Sequence, residues 1–195
     1  MKNVSEKFWG LIEQDKKYKE ALEIVRKNSN GKIWLIGGAV YRNLVKLFYG
    51  AKIGEIKDYD FIVEDVSLPL NFDLPIEWRE GELSRFGGYK FFRQDLTNSL
   101  DFVELRRVFH IVERKVMPEI NNFLLYTPLN IHSLIWDIDK QVLKGEIGFD
   151  ALERRVISAN DKQMLELMAA RYGKTPGEII KEKAEELGFD YQIQT

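Results

Sequence analysis

Three aspartates and a pair of glycines carry the chemistry this chain could do. Asp58 and Asp60 flank Tyr59 and lead straight into Phe61, Ile62 and Val63. In a strand, residues two apart point to the same face, so both carboxylates project together. Carboxylates side by side repel one another, and a divalent cation is the usual remedy. Upstream, the apolar run from Ile33 to Ile36 ends at Gly37 and Gly38, after which Val40, Leu44, Val45 and Phe48 recur at helical spacing. Glycines at a strand-to-helix turn let backbone amides approach a ligand closely, and the helix N-terminus favours an anion such as phosphate. A phosphate cradle beside metal-binding carboxylates is the layout of phosphoryl transfer.

These residues need a sheet to hold them, and the surrounding pattern supplies one. From Ile76 to Leu105 the chain alternates as strands do, with turns at Ser84–Gly88 and Thr97–Asn98. The second turn brings Leu100-Asp101-Phe102 back beside the Asp58–Val63 strand as a hairpin arm. Alternation places Asp101 and Glu104 on opposite faces, so only one can join the first pair. The glycine pair Gly87-Gly88 reads as turn geometry, since no helical pattern follows it.

Outside the sheet, residues 4 to 28 predict one amphipathic helix, with Phe8, Leu11, Ile12, Tyr18, Ala21, Leu22 and Val25 on its packing stripe. Asn28–Gly31 ends it as a turn. Residues 65 to 75, with Pro69 and Pro75, read as an irregular loop. Residues 106 to 127 fit helix or strand, the segment from Glu119 to Thr127 reading as helix. The segment Ile131–Asp139 reads as a strand, Lys140–Glu146 as a turn and short strand, and Phe149–Ile157 as a helix. In the tail, Asp161 caps a helix carrying Met164, Leu165, Leu167 and Met168 that stops near Gly173. Thr175-Pro176-Gly177-Glu178 is a capping box opening a second helix, lined by Ile179, Ile180, Ala184 and Leu187 and ended by Gly188. The pair is expected to serve packing or dimerisation.

Composition bounds the answer without naming it. A chain of 195 residues suits one domain, or one with a small appendage. Hydrophobic residues make up 45% of it, enough for an ordinary core. The absence of cysteine excludes disulfides and thiolate metal sites and agrees with a reducing cytoplasm. No apolar run approaches ~20 residues, so no membrane association is expected. A net charge of −2 gives no global signal for nucleic acid, which leaves local patches to bind it if any do.

The ordered set of Gly37-Gly38, a helix, Asp58-x-Asp60 on a strand and Asp101 on a later strand resembles the DNA-polymerase-β-like nucleotidyltransferase superfamily. More narrowly it is similar to the head domain of the poly(A) polymerase and tRNA CCA-adding family, over about residues 30 to 161. The resemblance implies an α+β fold: a nucleotidyltransferase-type mixed sheet flanked by helices, covering residues 1–160 with the N-terminal helix. Residues 161–195 would form a small C-terminal helical appendage. It also implies a transferase that moves a nucleoside monophosphate from an NTP to a hydroxyl, with an RNA end among the acceptors. Asp58, Asp60 and Asp101 would hold two Mg²⁺ ions, and Gly37, Gly38 and Arg42 would bind the nucleotide. A homodimer or partner protein could supply the acceptor-binding body that so short a head lacks.

The chain also departs from that family. The family's Gly-Gly-x-Val-Arg-Asp becomes Gly37-Gly38-Ala39-Val40-Tyr41-Arg42-Asn43, and its arginine-rich nucleotide-contact stretch lines up with Leu125–His132, which lacks both arginines. The neck motif that selects C and A has no counterpart. CCA addition itself is therefore not expected, and the alternative is a catalytically degenerate nucleotidyltransferase-fold module that binds or regulates. The remaining conspicuous residues have plainer readings. His110 and His132 fit no metal spacing and are expected to be structural, and Trp9, Trp34, Trp78 and Trp136 to lie in the core. Arg106-Arg107 and Arg114-Lys115 form a basic rim near Asp101 or a solvated face.

Overall fold

The computed structural model describes residues 2–51, 53–71, 73–83, 88–95 and 98–193. The expected turns Ser84–Gly88 and Thr97–Asn98, and with them the Gly87-Gly88 pair, extend outside these residues. Nine strands and eight α-helices are ordered α1 (Lys2–Ile12), α2 (Lys16–Lys27), β1 (Ser29–Ile36), α3 (Gly38–Tyr49), β2 (Asp58–Val66), β3 (Trp78–Leu83), β4 (Tyr89–Arg93), β5 (Ser99–Glu104), α4 (Phe109–Arg114), α5 (Ile120–Leu125), β6 (Ile135–Asp137), β7 (Val142–Lys144), α6 (Glu146–Arg154), β8 (Val156–Ser158), α7 (Lys162–Tyr172), α8 (Pro176–Leu187) and β9 (Asp190–Gln192) among the described residues. None of the helices among them is long and apolar enough to cross a membrane.

Seven strands form one mixed sheet in the order β3-β4-β5-β2-β1-β6-β7, and β8 pairs with β9 in a small parallel ladder. Within the large sheet, among the described residues, only β2 and β5 run parallel. The central β1 is buried through Ile33, Trp34 and Leu35 in succession, because both of its faces are covered. On one face, Leu35, Phe61, Phe91, Phe102 and Trp136 join Phe8, Tyr18 and Val40 of α1, α2 and α3 in the main core. On the other, Trp34, Ile62 and Ile135 meet Ile111 of α4 and Phe123 of α5 in a much smaller cluster. The second face is therefore only partly roofed, and the three aspartates lie on it.

The N-terminal stretch differs from its expectation. It is two helices, α1 and α2, because Asp15 caps the second: its carboxylate accepts from the amides of Lys17 and Tyr18. The same carboxylate accepts from Tyr59 Oη at 2.6 Å, which ties the break to the Asp58–Asp60 strand. The expected turn at Asn28–Gly31 is mostly the start of β1, with Asn28 alone serving as cap to α2. Residues 131–139 form a short helical turn followed by a three-residue strand rather than one strand. Phe48, assigned to the apolar stripe of α3, is exposed near the helix end.

The tail follows its punctuation closely. Asp161 caps α7 through the Met164 amide, Gly173 ends that helix left-handed, Thr175 and Glu178 close the capping box of α8, and Gly188 ends it. Leu165, Ala169, Ile179, Ile180, Ala184 and Leu187 from these two helices belong to the main apolar cluster. The helix pair is thus packed on the sheet domain through a shared core.

Candidate active site

The site is built on the parallel pair β2–β5. Their register sets Asp60 opposite Asp101 and Asp58 opposite Ser99, so all three carboxylates rise from the same face at one end of adjacent strands. Ser99 Oγ donates to Asp58 Oδ1 at 2.6 Å. Glu104, opposite Val63, points to the other face, where its carboxylate accepts from the Val66 amide and from Arg106 and pairs with Arg107. Asp101 is accordingly the acid that shares a face with Asp58 and Asp60.

On the other side of β2, antiparallel β1 sets Ile36 opposite Asp60, so the chain reaches the glycine turn right beside that carboxylate. Gly37 has φ +68°, and a Cβ added to it would lie 2.7 Å from Asp60 Oδ2. Both the left-handed backbone and the contact with Asp60 require glycine there. Gly38 then opens α3, which leaves its first amides without intrahelical partners.

Burial dominates the electrostatics, with like charge second at Asp60. Asp60 is pushed up to about 7, first by burial and then by Asp101 and Asp58, with Lys90 opposing. Asp101 is pushed up to about 6 by burial and by Asp58, against Lys90 and Arg171. Two carboxyls that resist ionisation at one point are a site short of positive charge. Hard oxygen donors of this kind suit Mg²⁺. Among the described residues no three acidic or histidine side chains are already drawn into a metal-holding group. The fit to Mg²⁺ therefore rests on donor chemistry and unrelieved charge.

A cavity of about 390 Å³ opens beside Asp60 and the glycine turn. Its far wall comes from the C-terminal helices: Met164, Leu167 and Arg171 of α7 and Lys183 of α8. Lys183 Nζ donates to Tyr41 Oη at 2.9 Å and to Glu186 Oε2 at 2.5 Å, and it lies over the Tyr41 ring. Burial works against its charge, and Tyr41 and Glu186 outweigh that effect. Arg42 Nε donates to Glu186 Oε1 at 2.7 Å. Glu186 thus gathers two cations against the first turn of α3, although Arg42 itself stays outside the cavity lining.

His110 and His132 also border this cavity. Burial is the first cause lowering each, to about 4 and about 3, so both are neutral at neutral pH. Trp34, Trp78 and Trp136 are buried as expected, and Trp9 packs against the main core. The basic rim does not assemble: Arg106 and Arg107 turn to Glu104 on the opposite face, and Arg114 pairs with Asp161. Sequence reasoning missed Lys183, Arg171 and Lys90. Only the last had a usable signal, because the alternation of Tyr89–Arg93 already puts Lys90 and Phe92 on one face.

No protein-family model and no curated protein matches the chain. Solved structures do resemble it. A tRNA-processing enzyme in an apo form superposes with a TM-score of 0.60 at 16% identity, over 91% of this chain and 44% of its own. The Thermotoga maritima CCA-adding enzyme complexed with tRNA_CCA gives 0.56 at 16% identity, over 93% of this chain and 40% of that one. A tRNA-processing enzyme with CTP gives 0.54 at 17% identity, over 83% and 40%. The chain spans less than half the length of each of these proteins. At such identities the similarity concerns the fold alone, and that fold is the nucleotidyltransferase-type mixed sheet flanked by helices.

Proposed function

We propose that this chain is a nucleotidyltransferase that moves a nucleoside monophosphate from an NTP to a hydroxyl acceptor. One observation carries the reading: Asp60, in register with Asp101, abuts a glycine turn that opens a helix N-terminus. Carboxylates that need a cation and amides that hold phosphate then meet at one point.

In this reading Asp58, Asp60 and Asp101 hold Mg²⁺, which supplies Lewis acidity at the α-phosphate and eases deprotonation of the acceptor hydroxyl. Gly37 and Gly38 present amides to the phosphates. Arg42 and Lys183, gathered by Glu186, stand at the same turn and offset charge on the β- and γ-phosphates. The cavity beside them takes the nucleoside, with apolar walls from Met164 and Leu167 excluding water. The acceptor oxygen bonds to the α-phosphorus, the bond from that phosphorus to the β-phosphate's bridging oxygen breaks, pyrophosphate leaves, and the hydroxyl proton passes to water. Ser99 fixes the Asp58 carboxylate so that it is ready to ligate.

A second reading has its own support: Arg42 is committed to Glu186, and the arginine-rich stretch of the resembled family is missing. On that basis the chain would be a degenerate module that binds or regulates without transfer. Calorimetric titration of Mg²⁺ with each NTP into the wild type and into Asp58→Ala/Asp60→Ala separates these readings. Metal-dependent NTP binding lost in the variant, together with release of pyrophosphate on adding an acceptor, is the expected result. Binding without release supports the module, and no binding to folded protein overturns the transferase.

A further inference from the structure

The charged residues of α8 divide into two kinds. Lys181 pairs with Glu185 one turn along the same helix, and Glu182 pairs with Lys174 just before it, as solvated charges do. Glu186 instead reaches across to another element. Its Oε1 accepts from Arg42 Nε at 2.7 Å and its Oε2 from Lys183 Nζ at 2.5 Å, so one carboxylate bridges α8 to α3.

Both cations lie at the glycine turn. Lys183 lines the cavity together with Gly38 and Tyr41. A Cβ placed on Gly38 would stand 3.7 Å from Arg42 Nε and 3.7 Å from Tyr41 Oη, the hydroxyl that accepts from Lys183. α3 opens there without a side-chain cap. Two oxygens of one anion, held by a guanidinium and an ammonium beside an uncapped helix N-terminus, make the bonding pattern of a bound phosphate. Here the chain supplies the anion itself. Burial raises the Glu186 carboxyl, but Lys183 and Arg42 outweigh that effect, so it is ionised at neutral pH.

This carboxylate and a triphosphate are rivals for the same two charges. A phosphate bridging the same donors would come close to the carboxylate, where like charges repel beside a half-buried site. Glu186 is the partner free to turn away. Its side chain is 30% exposed, whereas Lys183 is 17% exposed and anchored on Tyr41.

We propose that Glu186 is an autoinhibitory latch, a resident anion that the triphosphate of an incoming nucleotide displaces from Arg42 and Lys183. The proposal rests on the transferase reading and adds to it a regulation of the same site. With the latch closed, one of the two positive charges is cancelled and α3 is bridged to α8. With it open, both charges face the phosphates and the bridge is gone. The commitment of Arg42 to Glu186 is then the resting state of a working site.

The test titrates Mg²⁺-NTP, and separately sodium tripolyphosphate without metal, into the full chain and into Glu186→Gln, Glu186→Ala and Glu182→Gln. Glutamine keeps the length of the side chain and a carbonyl oxygen for the same donors, while alanine removes both. Glu182→Gln deletes the same charge from the same helix, where it serves Lys174 and neither cation of the site. Both ligands are expected to bind about tenfold tighter in the two Glu186 variants, the scale of two partly exposed ion pairs, and with unchanged affinity in Glu182→Gln. Urea unfolding of the same preparations should show the Glu186 variants no more stable than the wild type, so the gain does not come from a firmer fold. Affinity that fails to rise in either folded Glu186 variant overturns the latch, and a fall makes Glu186 a group that orients the two cations. An equal gain in Glu182→Gln overturns it as well, because net charge alone then accounts for the effect. Failure of Mg²⁺-NTP to bind any form fails the transferase reading instead, while tripolyphosphate still reads the latch.

Discussion

Asp101 and Glu104 stand three residues apart on one strand, and their surroundings act on them in opposite senses. Glu104 is 5% exposed, and burial pulls its carboxyl upward, yet Arg106 and the Val66 amide hold it below the ordinary range. Asp101 faces the other way, where burial and then Asp58 raise it against Lys90 and Arg171. Same strand and same charge give one acid that is satisfied and one that is not. The difference marks the division of labour between the two faces of the sheet. The Glu104 face closes on a large apolar core and spends its polar groups on stability. The Asp101 face is half roofed and keeps an electrostatic debt that a cation can cancel.

The comparison breaks most visibly if the two acids are exchanged in role. Asp101→Asn is expected to lower nucleotide transfer by at least about 100-fold, through lost metal and transition-state charge stabilisation. Its folding stability should be unchanged or higher, because a repelling charge has gone. Initial rates and urea unfolding on the same variant check both halves. A variant that loses stability in step with activity would count against the assignment.

Glu104→Ala should do the reverse. It removes the buried acceptor of the Val66 amide and the partner of the exposed Arg106 and Arg107, and is expected to cost about 1–3 kcal/mol in urea unfolding. Mg²⁺-NTP affinity of the folded fraction should stay at the wild-type value. Loss of that affinity in well-folded protein would show that the two faces are not separate.

The smallest effect sharpens the comparison through pH. Asp60 is raised from the ordinary aspartate range to about 7. Below about pH 4 the folded and unfolded chains both carry its proton, and between there and about 7 the folded chain alone keeps it. Metal-free protein therefore loses stability as pH rises through that window, by roughly 2 kcal/mol for a half-buried group. Glu104, lowered, contributes stability above its unfolded value that is lost as pH falls through the folded one. Thermal melts across pH 4 to 8 should show the first slope flattened in Asp60→Asn. Added Mg²⁺ should raise the melting temperature more at pH 8 than at pH 5, since it binds the ionised acids. Equal stabilisation at both values would remove the unrelieved charge from the argument.

Much of this arrangement was legible before any coordinates. Alternation alone separates Asp101 from Glu104 and places Asp58 with Asp60, because strand periodicity is fixed by the backbone. The glycine turn, the Asp161 cap and the Thr175–Glu178 capping box announce themselves locally, since each satisfies amides only a few residues away. The break between α1 and α2 was also written locally, in Asp15, but the continuous apolar stripe masked it. The strand expected over Ile131–Asp139 is shortened at its start, where Asn130 and Ser133 turn their side chains to backbone outside the sheet, Asn130 to Val156 and Ser133 to Leu124.

By itself the sequence determined the strand–turn–helix, the shared face of Asp58 and Asp60 and the capped helices of the tail, while the β2–β5 register brought Asp101 beside them. The first three follow from short-range periodicity, backbone freedom or hydrogen bonds within a turn of chain. Only the tertiary structure decided which groups gather around them. Arg42 meets Glu186, Lys183 meets Tyr41, and α7 walls the cavity over Asp60, through contacts that span more than a hundred residues. Such pairings depend on how apolar faces pack, and no local pattern records the partner a side chain will find.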